Sequence, residues 1–381
     1  MELSVDAVDV ATELIRVSSL SGEEGAMADA VQRLMAELGY SDVRRDDLGS
    51  VIGRVGPDGA TSLLFDGHMD VVPPVGHWSV DPFGALVRDG RIFGRGATDM
   101  KGGLAAALVG VAAAAPELAR PVLVSATVLE ETVEGVALAR VLDSTEPEGV
   151  VICEPSGLEI KVGQRGRAEL LLTAHGIPAH AASPDRGRNP ITLMAAALGR
   201  IDAMEMPIDP LLGEAMIVST DVVSDPYPSI SLIPSAVTVR FDRRTLLNED
   251  ADEVVAGLLA AVGDGELFSA RITADEVAAY TGVRVRAVRF LPAWRLEEGH
   301  LVARALTAAV EAAGIPARTG VWGFCTNGSE SAIRQIPTIG FGPGWPEDAH
   351  VIDESVSVSE IKIATEVYQR LAVGYAGDAR A

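Results

Sequence analysis

Five stretches of this 381-residue sequence carry an acid or a histidine directly beyond an apolar run or a glycine-rich turn. After LLF comes Asp-Gly-His68-Met-Asp70, and after the turn Gly94-Arg-Gly96 comes Asp99. After VLVSATVL come Glu130 and Glu131, after VVIC comes Glu154, and after TIGFGPG comes His350. Taken singly, such residues are ordinary. An acid after a strand usually forms a turn or caps a helix, and a lone histidine is usually a surface or core residue. Taken together they are not, because two histidines and at least four carboxylates gathered in one place are costly unless cations neutralise them. Mixed nitrogen and oxygen donors without thiolate suit Zn²⁺, and also Co²⁺ or Mn²⁺.

The elements that must position these groups are legible as alternating patterns. Helical spacing covers residues 5–17 and 24–38, the second ending at Gly39 as a helix C-cap does. Apolar strand-like runs follow at Thr61–Phe65, Val122–Leu129 and Gly149–Cys153, with the alanine-rich stretch Leu104–Ala115 reading as a buried helix. Strands alternating with helices predict βαβ units and a mostly parallel sheet with helices on both faces. In such sheets ligands bind outside the carboxyl ends of the strands, where the five stretches would converge. Cys153 adjoins Glu154, but alternation along a strand turns its side chain to the other face, as a buried and inert thiol.

Near Gly163 the pattern changes. Strands are expected at Ala168–Ala174, Ala215–Val222, Ser229–Arg240 and Ser269–Ala274, with helices at Pro190–Ala203 and Ala251–Val262. This predicts an α+β insert of two helices on a four-stranded antiparallel sheet. A helix at His300–Ala313, a strand at Thr338–Phe341 and a helix at Ser357–Leu371 then resume the first pattern. The chain is thus read as α/β, with a discontinuous catalytic domain (1–165 and 291–381) and an inserted dimerisation domain (166–290). A length of 381 residues fits two cores better than one.

Composition narrows the partners. The net charge of −23 repels phosphate backbones and anionic membranes, which argues against nucleic acid as a partner. No apolar run reaches membrane-spanning length, and the N-terminal stretch MELSVDAVDVATELIRV is acidic and amphipathic without a basic n-region. Export and membrane insertion are therefore not expected. Two cysteines, Cys153 and Cys325, exclude a disulfide framework and fit a reducing, cytoplasmic compartment. Scarce lysine and abundant alanine match the codon usage of a GC-rich bacterial genome.

The motifs FDGHMDVVP, GRGATDMKGG, LEETVEG, ICEPSG, GIPAHAASPDRGRNPI and AHVIDE, in this order, resemble the M20 family of metallopeptidases and deacylases across essentially the whole chain. That family includes acetylornithine deacetylase, succinyl-diaminopimelate desuccinylase and the aminoacylases. The resemblance implies two divalent metal ions, zinc by preference. His68, Glu154 and a bridging Asp99 would hold one ion, and His350, Glu131 and the same Asp99 the other. It further implies that Asp70 orients His68, that Glu130 is the general base, and that a cis peptide follows Asp99. His180 would enter the site of a neighbouring subunit in a homodimer formed through the insert and steady the tetrahedral oxyanion. An otherwise unpaired sheet edge in the insert points the same way. Three ligands per ion leave a fourth position open, as catalytic zinc requires.

Other residues bear on the substrate. Arg240, Arg243 and Arg244 cluster in VRFDRRT, where one could grip a carboxylate bidentately, with surface ion pairs as the equal alternative. Ser231, where many family members carry asparagine, and the Asn327 loop GFCTNGSES resemble the YgeY-like branch instead of the better-known ones. His77 reads as a rim residue, and neither His175 nor His300 has an assigned role. The expected reaction is hydrolysis of the amide bond of a small N-acyl amino acid, the acyl group being acetyl, succinyl or carbamoyl-like. A dipeptidase or carboxypeptidase shares the same chemistry. A catalytically inactive scaffold would lack ligands or base, and here all are present.

Overall fold

A computed structural model describes residues 5–263 and 265–377. The first four residues of the N-terminal stretch and the last four of the segment 291–381 lie outside them. Apolar clusters on the two faces of a nine-stranded sheet make up the first core, and a separate cluster makes up the second. The strands of this sheet run in the order Ser41–Arg45, Val51–Val55, Val122–Thr127, Leu63–His68, Gly149–Ile152, Thr338–Gly340, Ile160–Gln164 and Trp294–Arg295, with Thr319–Trp322 also pairing with Ile160–Gln164.

The four strands in the centre, from Val122–Thr127 to Thr338–Gly340, are parallel. Their side chains alternate between two helical layers. Leu63 and Phe65 join the layer formed by helices Ala7–Arg16, Gly102–Ala114 and Val358–Ala376, while Leu64, Val150 and Ile152 join Leu138, Val141 and Leu142 of helix Val136–Thr145. Burial on both faces explains why these strands read as continuous apolar runs. The flanks depart from the parallel expectation. Ser41–Arg45 and Val51–Val55 add antiparallel at one edge, and Ile160–Gln164 pairs antiparallel with Trp294–Arg295 near the other. These short flanking strands carry too few apolar residues for a continuous run, so pattern reading passes over them.

The second core lies in the insert. Strand Gly166–His175 buries Ala168, Leu170, Leu172 and Ala174 against helices Pro190–Asp202 and Ala251–Val262, and turns Arg167, Glu169, Leu171 and Thr173 the other way. Its sheet runs Met216–Asp225, Ala236–Thr245, Gly166–His175, Phe268–Ile272, antiparallel throughout, and the short strand Phe290–Leu291 makes it five. Helix Ala251–Val262 has the predicted span, fixed by a capping box between Asp250 and Glu253 and a left-handed Gly263. The chain leaves the first core through Gln164 and returns at Trp294, two residues paired directly across adjacent strands. One hairpin inside the segment 166–290, Ala274–Ala278 with Arg284–Val288, packs Ala279 and Ala287 into the first core, not the second. Among the described residues no helix is long and apolar enough to cross a membrane.

Candidate metal centre and substrate cavity

Each acid or histidine of the five stretches is delivered by a specific backbone feature. His68 is the last residue of a fully buried central strand. Glu130 and Glu131 follow the neighbouring strand after Leu129, whose φ of +61° turns the chain sharply. Glu154 lies two residues beyond Gly149–Ile152. Asp99 stands in the kinked turn Ala97–Lys101, and its bond to Met100 is cis, as the family resemblance implies.

These groups meet. Asp99 reaches both histidines, with Oδ1 2.9 Å from His68 Nε2 and Oδ2 3.2 Å from His350 Nε2. Glu154 Oε1 lies 3.5 Å from His68 Nε2, and Glu131 Oε2 lies 2.9 Å from His350 Nε2. Ligand atoms of His68, Asp99 and Glu131 fall within 4.8 Å of one another, and so do those of His68, Glu130 and Glu154. Glu130 is therefore grouped with His68 and Glu154 as closely as Asp99 and Glu131 are with His68.

The electrostatics of this donor set suit cations. Burial raises the pKa of Glu130 and Glu154 well above the carboxylate range, with neighbouring acids adding to the shift. Burial and the charge of Asp99 push Glu131 up to about 7. Asp99 and Glu131 lift His350 to about 10. Burial opposes the His68 cation, yet Glu154, Asp70 and Asp99 outweigh it and raise its pKa well above normal. Buried Asp99 is nevertheless held below the usual range by its bonds to His350 and His68. Carboxylates this crowded resist ionising beside one another, and divalent positive charge at their centre relieves that repulsion. The residues fit two such ions.

Asp70 stands beside the second ring nitrogen of His68. His68 Nδ1 lies 3.0 Å from the main-chain oxygen of Asp70 and 3.6 Å from its carboxylate. The carbonyl is thus the nearer acceptor for the ring proton. The carboxylate instead accepts from the N–H groups of Glu130 (3.0 Å) and Glu131 (3.1 Å) and from the hydroxyl of Ser21 (2.7 Å). Asp70 thereby ties His68 to the turn carrying the two glutamates.

A cavity of about 440 Å³ opens over this cluster, sized for a small substrate. Asp99, Glu130, Glu131, Glu154 and His350 line its floor, and Arg167 and Arg244 enter from the insert. Of the three arginines singled out in the sequence, Arg244 alone lines this cavity. Arg240 lies on the same sheet face but pairs with Glu169 at 2.9 Å, and Arg243, one residue out of phase, is buried on Glu249 at 2.5 Å. A substrate role for these two is corrected: strand alternation turns Arg243 away from the cavity, and Arg240 is taken up by Glu169 outside it. Asn327 is corrected as well. Its Nδ2 donates to Asp66 (3.0 Å) and Thr127 (3.1 Å) and its Oδ1 accepts from Gly135 N–H (2.7 Å), so it serves as scaffold beneath the floor. Arg167 was not foreseen. It sits directly across from Arg244 in the sheet and binds Glu134, Asp242 and Glu169 at 2.7–3.1 Å.

His180 is exposed on the two-residue strand Ala179–His180, paired with Leu232–Ile233, and is not among the residues lining the cavity of its own chain. Exposed His77 lies apart from the cluster, His175 meets Ser269 at 2.8 Å, and His300 caps helix Leu301–Ala312. Cys153 is buried with its thiol pushed up by burial, and Cys325 at the cavity edge is pushed up to about 12 for the same reason. Sequence reading also missed Glu354, whose Oε1 accepts the N–H groups of Thr98 (2.9 Å) and Asp99 (3.1 Å) while its other oxygen pairs with buried Arg95. These partners lie more than 250 residues apart in sequence, and no local spacing links them.

A parallel-centred α/β sheet bearing acids and histidines at its carboxyl ends, with an α+β insert over the crevice, defines a class. The chain belongs to peptidase family M20/M25/M40, whose model matches residues 64–373. It is a hydrolase acting on amide or peptide bonds, in a metal-dependent family. The Escherichia coli (strain K12) protein YgeY is 28% identical over 380 residues, covering 95% of this chain and 93% of YgeY. Succinyl-diaminopimelate desuccinylase of Maricaulis maris (strain MCS10) is 31% identical, covering 97% of this chain and 95% of that enzyme. Among solved structures, aminopeptidase PepT from Bacillus cereus ATCC 10987 shares the fold with a TM-score of 0.75 at 22% identity, covering 97% of this chain and 98% of that one. The Bacillus subtilis YXEP protein, a dinuclear metal-binding peptidase, superposes with a TM-score of 0.69 at 15% identity, covering 96% of each chain.

Proposed function

We propose that this chain is a cytoplasmic two-metal amidohydrolase that removes the acyl group from a small N-acyl amino acid. The observation that carries the reading is Asp99, whose two oxygens face His68 and His350 separately, as a carboxylate shared by two ions must. His68, Glu154 and Asp99 would hold one ion and His350, Glu131 and Asp99 the other. Zinc is the preferred metal, and the donor set also accepts cobalt or manganese. Bound there, the ions supply Lewis-acid polarisation of the scissile carbonyl and acidify water.

The chain's own residues do the rest. Glu130, kept basic by burial, takes the proton of the attacking water and returns it to the departing amine nitrogen. Asp70 holds the Glu130 and Glu131 N–H groups, and Arg244, paired with Asp242 through Nε and Nη2, lines the cavity, where a substrate carboxylate can compete for its guanidinium. His180 is assigned to the oxyanion of a neighbouring subunit's site. Its exposure outside its own cavity supports this, as do the exposed Met216, Val218, Val222 and Val223 on the unpaired edge strand Met216–Asp225, a surface suited to a homodimer.

The test is a parallel screen of N-acetyl, N-succinyl and N-carbamoyl amino acids against dipeptides with the metal-loaded protein. Preferential turnover of an acylated amino acid is expected, and dipeptides as the better substrates would move the enzyme to the peptidases. Glu130→Ala should keep both metals and lose about 10²–10⁴-fold in kcat. Loss of metal in that variant would show Glu130 to be a ligand.

A further inference from the structure

Glu24 is a fully buried carboxylate that no step of the proposed reaction uses. Its Oε1 accepts the N–H of Gly22 at 2.9 Å and, from 105 residues away, that of Leu129 at 3.1 Å. Leu129 lies in the left-handed region, at φ +61°, which residues other than glycine seldom adopt. The next two N–H groups, of Glu130 and Glu131, point at the carboxylate of Asp70, which also receives the hydroxyl of Ser21. Three successive main-chain donors are thus held by two carboxylates, and the turn containing Ser21 and Glu24 reaches both ends of the arrangement.

The second oxygen of Glu24 is buried with no hydrogen-bond partner among the described residues. A buried carboxylate with one idle oxygen is costly. What it supplies in return is an acceptor for Gly22 and for a left-handed residue that precedes Glu130. Without it, the Leu129 N–H would be buried and unpaired, and the unfavourable turn would lose the bond that holds it.

We propose that Glu24 is a positioning residue for Glu130: by accepting the Leu129 N–H it fixes the turn that aims the Glu130 carboxylate into the cavity. The inference rests on Glu130 acting as the base. Two variants of the metal-loaded protein test it. Glu24→Ala removes the acceptor, and Glu24→Gln keeps one oxygen to accept while removing the charge.

Main-chain amide exchange across residues 126–134, followed by mass spectrometry without substrate, should speed up about tenfold or more in Glu24→Ala and stay near wild type in Glu24→Gln. With the best substrate from the screen, Glu24→Ala should lose about 10–100-fold in kcat. KM should stay within about twofold and bound metal should be unchanged, whereas Glu24→Gln should recover most of the loss. Unchanged exchange in Glu24→Ala overturns the proposal. So does an equal loss of kcat in both variants, or a loss that tracks missing metal. A wild type that turns over nothing in the screen would count against the functional reading, while the exchange result would still decide whether Glu24 holds the turn.

Discussion

The turn after strand Val122–Thr127 and the loop around His180 both carry residues assigned to the reaction, and they are built in opposite ways. From Leu129 to Gly135 the chain is tied at several points to distant segments. Glu24 and Asp70 hold the first three N–H groups, Arg289 donates to the Thr132 carbonyl, Arg167 meets Glu134, and Asn327 accepts from Gly135. Around His180 the bonds stay within the insert. Its ring accepts from Ala182 N–H at 3.0 Å, and the two-residue strand it sits on pairs with one other short piece. The first region is preorganised within one chain, as groups that must act without reorganising need to be. The second is exposed, and on the proposed reading it serves a neighbouring subunit's site.

Metal removal should have the largest effect on the pinned region. Chelation is expected to abolish turnover, because four carboxylates and two histidines crowd one centre that the ions neutralise. At ion concentrations a hundredfold above Kd, each bound ion adds about 2.7 kcal/mol to stability. Calorimetric melting with and without chelator measures this, and coincident transitions would mean the cluster binds nothing in the folded state.

His180→Ala comes next, at about 10²–10³-fold in kcat for one lost oxyanion donor. Co-expressing His180→Ala chains with Glu130→Ala chains sharpens the contrast between the two regions. If His180 acts across a twofold dimer, random pairing restores about a quarter of wild-type activity, since each mixed dimer has one intact site. No recovery would place His180 in its own chain's site, and full activity of His180→Ala by itself would place it outside the reaction.

Within the insert, Arg244→Leu should raise KM about 10–100-fold through a lost charged hydrogen bond to the substrate carboxylate. Arg243→Leu, one residue away but on the other face, should leave KM alone. Equal effects of the two on KM would remove Arg244 from substrate binding. The smallest change in turnover belongs to Asn327→Ala. It should cost about 1–3 kcal/mol of stability, measured by denaturant unfolding, by stripping partners from buried Asp66 and from Gly135, with KM near wild type. A raised KM with unchanged stability would return Asn327 to the substrate.

How much of this was legible depended on whether the signal was local. The central parallel strands announced themselves because burial on both faces makes them continuous apolar runs, and the acids behind them stood out by position. Helix Ala251–Val262 could be bounded because its caps are encoded within three residues of each end. The antiparallel flanks could not be read, since strands such as Ser41–Arg45 and Trp294–Arg295 are short and partly exposed. Among the arginines, pattern identified the cluster but not the member that faces the cavity. Arg243 and Arg244 differ only in which side of the sheet they take, and that follows from the register of Ala236–Thr245 against Gly166–His175.

The sequence by itself determined the family, the alternation of elements and the set of metal-suited side chains, because these depend on residue type and on spacing within single segments. Tertiary structure alone decided which oxygen of Asp99 meets which histidine, that Asp70 spends its carboxylate on the Glu130 turn, and that Glu24, Glu354 and Asn327 are ties beneath the site. Such contacts join segments from 31 to more than 250 residues apart, as those of Asp99 with His68 and of Glu354 do. Their existence depends on how the sheet brings those segments together, which no local pattern encodes.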